Sequence, residues 1–351
     1  MVNKSPRELY KVPAAWSIPQ IQNSLRAALN GNGPALAFGS SAFKAVDPSI
    51  SVVIPTSGST GLPKEVALTA EALRASAWAS HQFLGATRSE RWSLMLPTHH
   101  IAGVNVLVRA IELGTDIAAN NFEYTSMVPT QLFRALKESG ESLLSLQKAK
   151  AVLVGGAAIN PELLQEAKER GVNVVTTYGM SEMSGGCVYN GVPLQGVEVE
   201  IREGNQIALR GSMQAKEYLG IASSLADSAG WFVTNDVGEF TNGKLIVSGR
   251  LDDLINSGGE KISLGVIDNF LNSKEPDTFM SCAISSPEWG EALCLASSRP
   301  IEKSEISNLL RVKFGNHSVP KYFLPGIELP RSSIGKPDRN KLAELFERIV
   351  L

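Results

Sequence analysis

The stretch ISVVIPTSGSTGLPKEVALT, residues 50–69, decides the fold of the N-terminal half. An apolar, β-branched run ends at Thr56, and a loop of glycines and small hydroxyl residues follows it. Thr69 is a candidate N-cap for a helix over TAEALRASAWASHQFLGA. The stretch therefore predicts a strand that ends in a glycine loop and is followed by a helix.

The same alternation continues to Thr177. WSLMLP, AVLVGG and VNVVTTYG are typical of strands, and NPELLQEAKERG is typical of a short helix. Asn160 would cap that helix, Pro161 would occupy its first turn, and Gly171 follows its end. Strands that alternate with helices build sheets covered by helices, so we expect α/β architecture with strand-end loops available for ligands.

The C-terminal half has a different pattern. Short alternating segments from Val197 to Arg250 predict a small β-rich subdomain. Beyond it, LDDLINSGGE is predicted to be a polar turn, MSCAIS and ALCLAS to be strands, and VIDNFLNS, EISNLLRVKF and residues 340–349 to be helices. We therefore predict a large domain over residues 1–250 and a small α+β domain over residues 251–351.

Composition excludes several classes of protein. The 351 residues carry 33 Lys and Arg against 35 Asp and Glu, which gives no electrostatic footprint for nucleic acid or an acidic membrane surface. The three cysteines have no metal-ligand or disulfide spacing, so we expect free thiols. The N-terminus lacks a signal-peptide h-region and no 18-residue apolar run occurs, so we expect a cytoplasmic protein with no membrane span.

The motif TSGSTGLPK, residues 56–64, is a candidate phosphate-binding loop. Its backbone N–H groups and hydroxyls can surround a phosphate, and Lys64 adds positive charge. The alternative is a polar, mobile turn. A Walker A loop is disfavoured, because Gly58 and Gly61 are too close together and Glu65 follows Lys64.

Two further motifs follow predicted strands. In TYGMSE, residues 177–182, the ring of Tyr178 can stack on a base, the hydroxyl of Ser181 can meet phosphate, and the carboxylate of Glu182 can hold Mg²⁺. The alternatives are a rim aromatic and a solvated carboxylate. Asp236 follows WFVT and could accept both ribose hydroxyls, and the alternative there is an Asx turn.

Together the motifs resemble those of the adenylate-forming acyl-CoA synthetase superfamily. TSGSTGLPK looks like its phosphate loop, TYGMSE its adenine and magnesium motif, and GWFVTNDVGEF its ribose motif. GRLDDLINSGGEKIS looks like its interdomain hinge, and LPRSSIGKPDR its catalytic-lysine motif. Within the superfamily, LPTHHIAGVNVLVRAIELG and TYGMSEMSGGCVYNGVPLQGV are similar to the o-succinylbenzoate–CoA ligases.

The resemblance implies two half-reactions. A carboxylate attacks the α-phosphorus of ATP to give an acyl-adenylate and pyrophosphate, and the thiol of coenzyme A then displaces AMP. The implied acid is o-succinylbenzoate, an aromatic keto-dicarboxylate of menaquinone biosynthesis, and Mg²⁺ is implied with ATP. Other aryl- or acyl-CoA ligases, adenylating enzymes that load a carrier protein, and an inactive nucleotide-binding sensor remain alternatives.

The resemblance also implies a role for each matching residue. The loop residues Thr56, Ser57, Gly58, Ser59, Thr60, Gly61 and Lys64 would hold the β,γ-phosphates. Adenine and the acyl group would be contacted by Gly155, Gly156, Ala157, Tyr178 and Gly179. Ser181 would bind the α-phosphate, and Glu182 would bind Mg²⁺. Asp236 and Arg250 would bind the ribose. Lys336 would be catalytic and would bridge the attacking carboxylate and the α-phosphate. Asp252 would be the hinge of a mobile C-terminal domain. The coenzyme A channel would be lined by Gly258 and Gly259.

Substrate recognition is expected from the helix-like stretch that follows the histidine pair. The resemblance places His100 beside the acyl pocket as a gate. Arg109, on the mostly apolar stretch IAGVNVLVRAI, would meet the second carboxylate or the ketone of o-succinylbenzoate. The alternative is a helix-end arginine that reaches water.

Three departures from the superfamily pattern stand out. Ser181 replaces the commoner threonine and keeps the hydroxyl, and Asn235 replaces the glycine often found before the ribose aspartate. The phosphate loop also begins early in the chain, which predicts that much of the usual first subdomain is missing. We expect the N-terminal flank of the acyl pocket to be closed in another way, with a second subunit of a homodimer as one candidate.

Overall fold

The structure is a computed structural model that describes residues 5–56, 64–273, 277–331 and 337–350. Its helices are α1 (Ile18–Leu29), α2 (Ala70–Leu84), α3 (Ile101–Glu112), α4 (Pro129–Glu138), α5 (Glu141–Lys148), α6 (Pro161–Glu169), α7 (Leu264–Leu271), α8 (Lys303–Phe314) and α9 (Arg339–Val350). Its strands are β1 (Arg7–Lys11), β2 (Ala35–Ala37), β3 (Ala45–Val46), β4 (Ile50–Thr56), β5 (Lys64–Thr69), β6 (Trp92–Leu94), β7 (Tyr124–Met127), β8 (Ala151–Val154), β9 (Val174–Met180), β10 (Gly185–Tyr189), β11 (Val192–Pro193), β12 (Val197–Ile201), β13 (Gln206–Gly211), β14 (Glu217–Tyr218), β15 (Phe232–Thr241), β16 (Lys244–Arg250), β17 (Leu254–Ser257), β18 (Glu260–Ser263), β19 (Phe279–Ser286), β20 (Gly290–Ser297) and β21 (Tyr322–Leu324).

The chain divides into two compact units. The first runs to Thr234 and includes Glu239–Ile246, and the second contains Asn235–Gly238 and the chain from Val247 onward. The division passes through β15 and β16, close to the predicted boundary after Arg250. The predicted domains themselves stay a prediction, because compactness does not measure independent folding.

The first unit contains two sheets, and α3 is largely buried between them while α2 packs beside it with one face exposed. The strand orders are β14-β5-β4-β2-β1-β3 and β11-β10-β9-β8-β7-β6. On α3, Val104 and Leu107 belong to a core cluster with β4 and β5, whereas Val106 and Ala110 belong to a cluster with β6 and β8. A helix that packs on both sides must be apolar nearly all round, which explains the composition of α3.

Local signals set the ends of two predicted helices. The Thr69 hydroxyl accepts a hydrogen bond from the backbone N–H of Ala72, and Gly85 ends α2 in the left-handed region at φ 64°. Asn160 caps α6 by accepting from the N–H of Glu162, with Pro161 in the first turn. Both predicted caps are therefore confirmed.

Parallel strands bring the ends of several motifs to one edge of the second sheet. β6, β7, β8 and β9 pair in parallel in that order. The connections run through α3, through α4 and α5, and through α6. The loops after β6, β8 and β9 therefore leave from the same carboxyl edge, where α/β proteins bind ligands.

Only β4 of the six strands of the first sheet was predicted, and β5 and β14 are the two unpredicted strands that bear on the site. β5 follows the glycine loop and pairs antiparallel with β4, with Thr56 opposite Lys64. β14 has only two residues and pairs with β5, with Tyr218 opposite Val66. The predicted β-rich region is confirmed as the sheet β12-β13-β15-β16, but β14 leaves that region for the first sheet.

The second unit is an α+β unit. β19 and β20 form its central antiparallel pair, β17 pairs with β18 and β20, and β21 runs parallel to β20. α7 and α8 pack on this sheet in one core cluster, and α9 packs in another through Leu342 and Phe346. The predicted polar turn LDDLINSGGE is wrong in one respect, because it contains β17 and the turn of the β17–β18 hairpin.

The α/β fold class is confirmed, since the described elements combine helix-covered sheets with a smaller β-rich region and a C-terminal α+β unit. No helix within the described ranges combines the length and apolar character needed to cross a membrane.

Candidate active site

Two glycines let the backbone close around the carboxyl edge of the second sheet. A Cβ at Gly155, just after β8, would lie 2.1 Å from Thr177 Oγ1, and a Cβ at Gly179 in β9 would lie 1.9 Å from the Gly185 carbonyl oxygen. Both distances are below any tolerable contact. Glycine is therefore required at both motif positions by close backbone approach.

Glu182 lies in a 3₁₀ turn, Ser181–Met183, directly after β9. Tyr218 Oη donates a hydrogen bond to Glu182 Oε1 at 2.7 Å, and no described residue donates to the other carboxylate oxygen. Lys64 Nζ lies 5.0 Å from the centroid of the Tyr218 ring. The two charged groups predicted to meet ATP and Mg²⁺ therefore both contact one tyrosine.

The backbone after Glu182 is anchored from the buried helices. The Ser184 carbonyl oxygen accepts hydrogen bonds from Ser76 Oγ of α2, at 3.1 Å, and from Asn105 Nδ2 of α3. Ser184 Oγ donates to the Met213 carbonyl at 2.7 Å. These fully buried contacts fix the turn that carries the TYGMSE motif.

Arg109 lies inside the first unit and is 4% exposed. Its Nη2 donates to Tyr189 Oη at 2.9 Å, its Nη1 lies 3.5 Å from Ser126 Oγ, and its guanidinium carbon lies 5.1 Å from the Trp92 ring centroid. Its Nε is buried without a hydrogen-bond partner, and no described carboxylate forms an ion pair with it. The alternative of a helix-end arginine that reaches water is therefore wrong.

His81 borders the same cluster. Its ring centroid lies 6.2 Å from that of Trp92, and its Nε2 is buried without a partner among the described residues. Burial, with a smaller contribution from the charge of Arg109, lowers the pKa of His81 to about 4. The imidazole is therefore neutral at physiological pH.

His100 is the N-cap residue of α3 and is half-buried. Its ring lies against that of His99, with 4.3 Å between centroids. Within the described ranges, no group of three His, Cys, Asp or Glu side chains is arranged to hold a metal. A gating role for His100 stays a prediction.

In the second unit, three motif residues form one charged cluster. Arg250 donates to both carboxylate oxygens of Asp252, at 2.7 and 2.8 Å, and its Nη1 lies 3.4 Å from Asp236 Oδ1. The hydrogen bonds that Arg250 donates to Asp252 raise the pKa of Arg250 further above its ordinary value, so its charge is permanent. Asp236 lies within β15, so the alternative of an Asx turn is wrong.

Gly258 and Gly259 form the two-residue turn of the β17–β18 hairpin. Their φ angles are 63° and 88°, a region that favours glycine, and the Gly258 N–H donates to the Trp289 carbonyl at 2.9 Å. Hairpin geometry therefore accounts for both glycines. Lining of a coenzyme A channel stays a prediction.

Several predicted site residues lie outside the described residues. These are Ser57, Gly58, Ser59, Thr60 and Gly61 of the phosphate loop, and Lys336. The strand residues on either side of the loop are described, and Thr56 Oγ1 donates to the Lys64 carbonyl at 3.3 Å. The roles of the loop residues and of Lys336 stay predictions.

Sequence reasoning missed Tyr218, Tyr189 and Asn105. Tyr218 lies in a two-residue strand with no periodic pattern, and its partner Glu182 is 36 positions away in the chain. Asn105 interrupts the apolar run of α3, and an amide in such a position needs a buried hydrogen-bond partner. That signal was available in the sequence, but it does not identify the partner.

The two sheets around buried α2 and α3, with a glycine loop between β4 and β5 and Glu182 at the edge of the second sheet, define an adenylate-binding scaffold. The sequence pattern of the family described as "AMP-binding enzyme" matches residues 24–207, and the chain belongs to that family.

Particular relatives share one activity in their names. A Mycobacterium tuberculosis protein named "Probable 2-succinylbenzoate--CoA ligase" is 36% identical over 282 residues, which are 71% of this chain and 73% of that protein. The 2-succinylbenzoate–CoA ligase of Escherichia coli is 38% identical over 227 residues, 59% of this chain and 49% of that protein. Among solved structures, E. coli MenE with a bound phenylether-linked analogue of OSB-AMS has a TM-score of 0.67 at 27% identity, covering 96% of this chain and 82% of that one.

Proposed function

We propose that this protein is an ATP-dependent acid–thiol ligase that joins o-succinylbenzoate to coenzyme A in menaquinone biosynthesis. The reaction runs through an acyl-adenylate and gives o-succinylbenzoyl-CoA, AMP and pyrophosphate. Membership of the AMP-binding enzyme family and relatives named for this activity support the proposal. The observation that carries the choice of acid is the buried, carboxylate-free guanidinium of Arg109.

Lys64 and Glu182 supply the charges for adenylation. Mg²⁺ is usually held by one or two carboxylates together with substrate phosphates, and the free oxygen of Glu182 fits that role. When bound, the ion would neutralise charge on the phosphates of ATP. Lys64 would bind the β,γ-phosphates with the loop of residues 56–61, and Ser181 the α-phosphate. Tyr178, Gly179 and residues 155–157 would contact adenine and the acyl group.

The second unit would complete the cycle. Asp236, 8% exposed and next to Arg250, would accept the ribose hydroxyls. Lys336 would bridge the attacking carboxylate and the α-phosphate during adenylation. Rotation about Asp252 would then remove Lys336, so that the thiol of coenzyme A reaches the adenylate beside Gly258 and Gly259. The mobile domain would be residues 251–351.

Charge burial supports a dicarboxylate substrate. A buried cation is costly unless an anion and hydrogen bonds compensate it, and the partners of Arg109 are hydroxyls and an aromatic ring. One carboxylate of o-succinylbenzoate reacts, and the other would supply the missing negative charge beside Arg109. His100, at the start of the same helix, would gate the acyl pocket.

Pyrophosphate release over a panel of acids tests the function. With ATP, Mg²⁺ and coenzyme A, o-succinylbenzoate should react far faster than benzoate, a fatty acid or the ester of its distal carboxylate. Equal rates would contradict the choice of acid and favour another aryl- or acyl-CoA ligase. Thioester formation only on a phosphopantetheinylated carrier would favour a carrier-loading enzyme, and no pyrophosphate with any acid would favour a sensor.

We further propose a cytoplasmic enzyme that works as a homodimer. Cys187, Cys282 and Cys294 are all buried, and Cys282 and Cys294 are free thiols, which supports a reducing compartment. Light scattering that gives the mass of one chain under assay conditions would contradict the dimer.

A further inference from the structure

Tyr218 contacts two groups of opposite charge through different parts of its side chain. Its hydroxyl bonds one oxygen of Glu182 at 2.7 Å, and its ring faces the Lys64 ammonium at 5.0 Å from the centroid. The described structure contains no ion pair between Lys64 and Glu182. Neither sequence motif contains Tyr218, so its position comes from the fold.

We propose that Tyr218 is a positioning residue for adenylation, which holds the Glu182 carboxylate for Mg²⁺ and keeps it apart from Lys64. This role rests on the proposed ligase function. The proposed function itself assigns no role to Tyr218. Tyr218 acts through Glu182 and Lys64 rather than on the substrate.

The hydroxyl of Tyr218 can only act as a donor to Glu182. An ionised carboxylate oxygen can only accept, so the 2.7 Å contact is a hydrogen bond from the Tyr218 hydroxyl to Glu182 Oε1. A charge-assisted hydrogen bond fixes the carboxylate plane and stabilises its ionised form. One oxygen is thereby held, and the second remains open for a cation.

The ring of Tyr218 works as a spacer. A lysine and a glutamate in direct contact would neutralise each other and would have to separate before either bound its ligand. A cation next to an aromatic face is stabilised without losing its charge. Lys64 therefore stays available for phosphate, and the second carboxylate oxygen of Glu182 stays available for the metal.

The fold fixes the positions of Tyr218 and Glu182 relative to each other. Tyr218 pairs with Val66 of β5, two residues after Lys64, and the Ala215 N–H donates to the Glu182 carbonyl at 2.7 Å. The chain on one side of Tyr218 is thus tied to the strand that carries Lys64 and on the other to the turn that carries Glu182. These two ties make the spacing a property of the backbone.

The test is the Mg²⁺ dependence of adenylation in Tyr218→Phe, followed as pyrophosphate release with o-succinylbenzoate and ATP. Loss of one hydrogen bond to a carboxylate should raise the half-saturating Mg²⁺ concentration by about tenfold. The rate at saturating Mg²⁺ should fall by much less. Tyr218→Leu also removes the spacer and should raise the Mg²⁺ requirement further.

Tyr124→Phe is the matched control. Tyr124 also donates a hydrogen bond to a carboxylate, Glu90 Oε2 at 2.8 Å. This pair lies at the amino edge of the second sheet, whereas Glu182 follows the carboxyl end of β9. This variant should keep the wild-type Mg²⁺ dependence. An unchanged Mg²⁺ requirement in Tyr218→Phe, or an equal rise in both variants, would overturn the proposal.

A double-mutant cycle with Glu182→Gln separates the role of Tyr218 from a loss of stability. Mg²⁺-dependent ATP binding by calorimetry should respond to Tyr218→Phe in the wild-type background and not in Glu182→Gln. Equal responses in both backgrounds would count against action through Glu182. If wild-type protein binds ATP and Mg²⁺ but adenylates no acid, the ligase function fails while the calorimetric cycle still decides the role of Tyr218.

Discussion

The Arg109 guanidinium donates a hydrogen bond to Tyr189 Oη at 2.9 Å, and the same Tyr189 oxygen lies 2.8 Å from Ser80 Oγ. The chain thus places a cation in its interior and surrounds it with hydroxyl groups in place of carboxylates. Such a cation is poised for an anion from outside the protein.

Arg109→Met should separate activity from stability. Methionine fills a similar volume without a buried charge, so the melting temperature should hold or rise, whereas kcat/KM for o-succinylbenzoate should fall by about 100-fold. Rates with a monocarboxylic aryl acid should change little. Retained selectivity for the dicarboxylate would contradict the assigned role.

Arg7→Met is the matched control. Arg7 is also held by buried contacts, donating to the carbonyls of Gly33, Ala28 and Ile50. Its loss leaves those carbonyls unsatisfied, so stability should fall by about 1–3 kcal/mol, measured by urea unfolding. The preference for the dicarboxylate should be unchanged in this variant.

Gly179→Ala tests the backbone approach at the TYGMSE motif. The new Cβ would lie 1.9 Å from the Gly185 carbonyl oxygen, so β9 and β10 must move apart. We expect a loss of about 1–3 kcal/mol in unfolding free energy and a larger loss of adenylation, because Ser181 and Glu182 shift with the strand.

Gly33→Ala serves as the control for that substitution. A Cβ at Gly33 would make only an ordinary contact, 3.6 Å from Ala27 Cβ, so stability should stay within about 0.5 kcal/mol. Wild-type adenylation by Gly179→Ala would mean that the turn after β9 tolerates displacement.

The pH dependence of stability should carry the signature of His81. Its pKa falls to about 4 in the folded state because of burial and Arg109, while an unfolded histidine titrates near 6.5. The unfolded state therefore binds more protons below pH 6.5, and stability should drop by about 2 kcal/mol between pH 7.5 and pH 5. Urea unfolding at the two pH values measures this.

His81→Gln should flatten that pH dependence, since glutamine takes up no proton. His99→Gln, at an exposed position, should leave it as in the wild type. An equally steep loss of stability in His81→Gln would mean that a group other than His81 takes up the proton on unfolding.

Much of the fold was predictable, because its signals are local. The caps of α2 and α6 and the apolar runs of β4, β8 and β9 are written in consecutive residues, and their elements form as predicted. The short strand β14 has no such signal. It forms because the main chain at Tyr218 meets β5, a contact about 150 positions back along the chain.

The candidate site was predictable only as a set of residue types. The motifs identified Glu182, Asp236 and Arg250, and the structure adds their partners Tyr218 and Asp252. The burial of Arg109 was not predictable, because a sequence pattern does not show whether a basic residue near a helix end reaches water. Its burial follows from α3 packing on both sides, which is a property of the whole unit.

Lys336→Ala should abolish adenylation, lowering its rate by more than about 100-fold, because no other charge would bridge the two reacting groups. Thioester formation from supplied acyl-adenylate and coenzyme A should survive. Pyrophosphate release and thioester formation, measured separately, give the two rates.

Lys341→Ala is the control for Lys336→Ala. Lys341 pairs with Asp338 at 3.6 Å on the exposed side of α9, and a surface pair of this kind contributes little. Both half-reactions should proceed as in the wild type. Survival of both half-reactions in Lys336→Ala would show that the lysine role belongs elsewhere.

Within the second unit, Arg339, the first residue of α9, contacts the segment next to Asp252, the proposed hinge residue. Its Nε donates to Asp253 at 3.0 Å, and its Nη1 donates to Asp268 and to the Ser281 carbonyl. Asp253 follows Asp252, and Arg339 lies three positions after Lys336. A torsional change at Asp252 would therefore also move the start of α9, because Arg339 holds α9 to Asp253. Separating the two segments would require breaking a buried ion pair, which is costly.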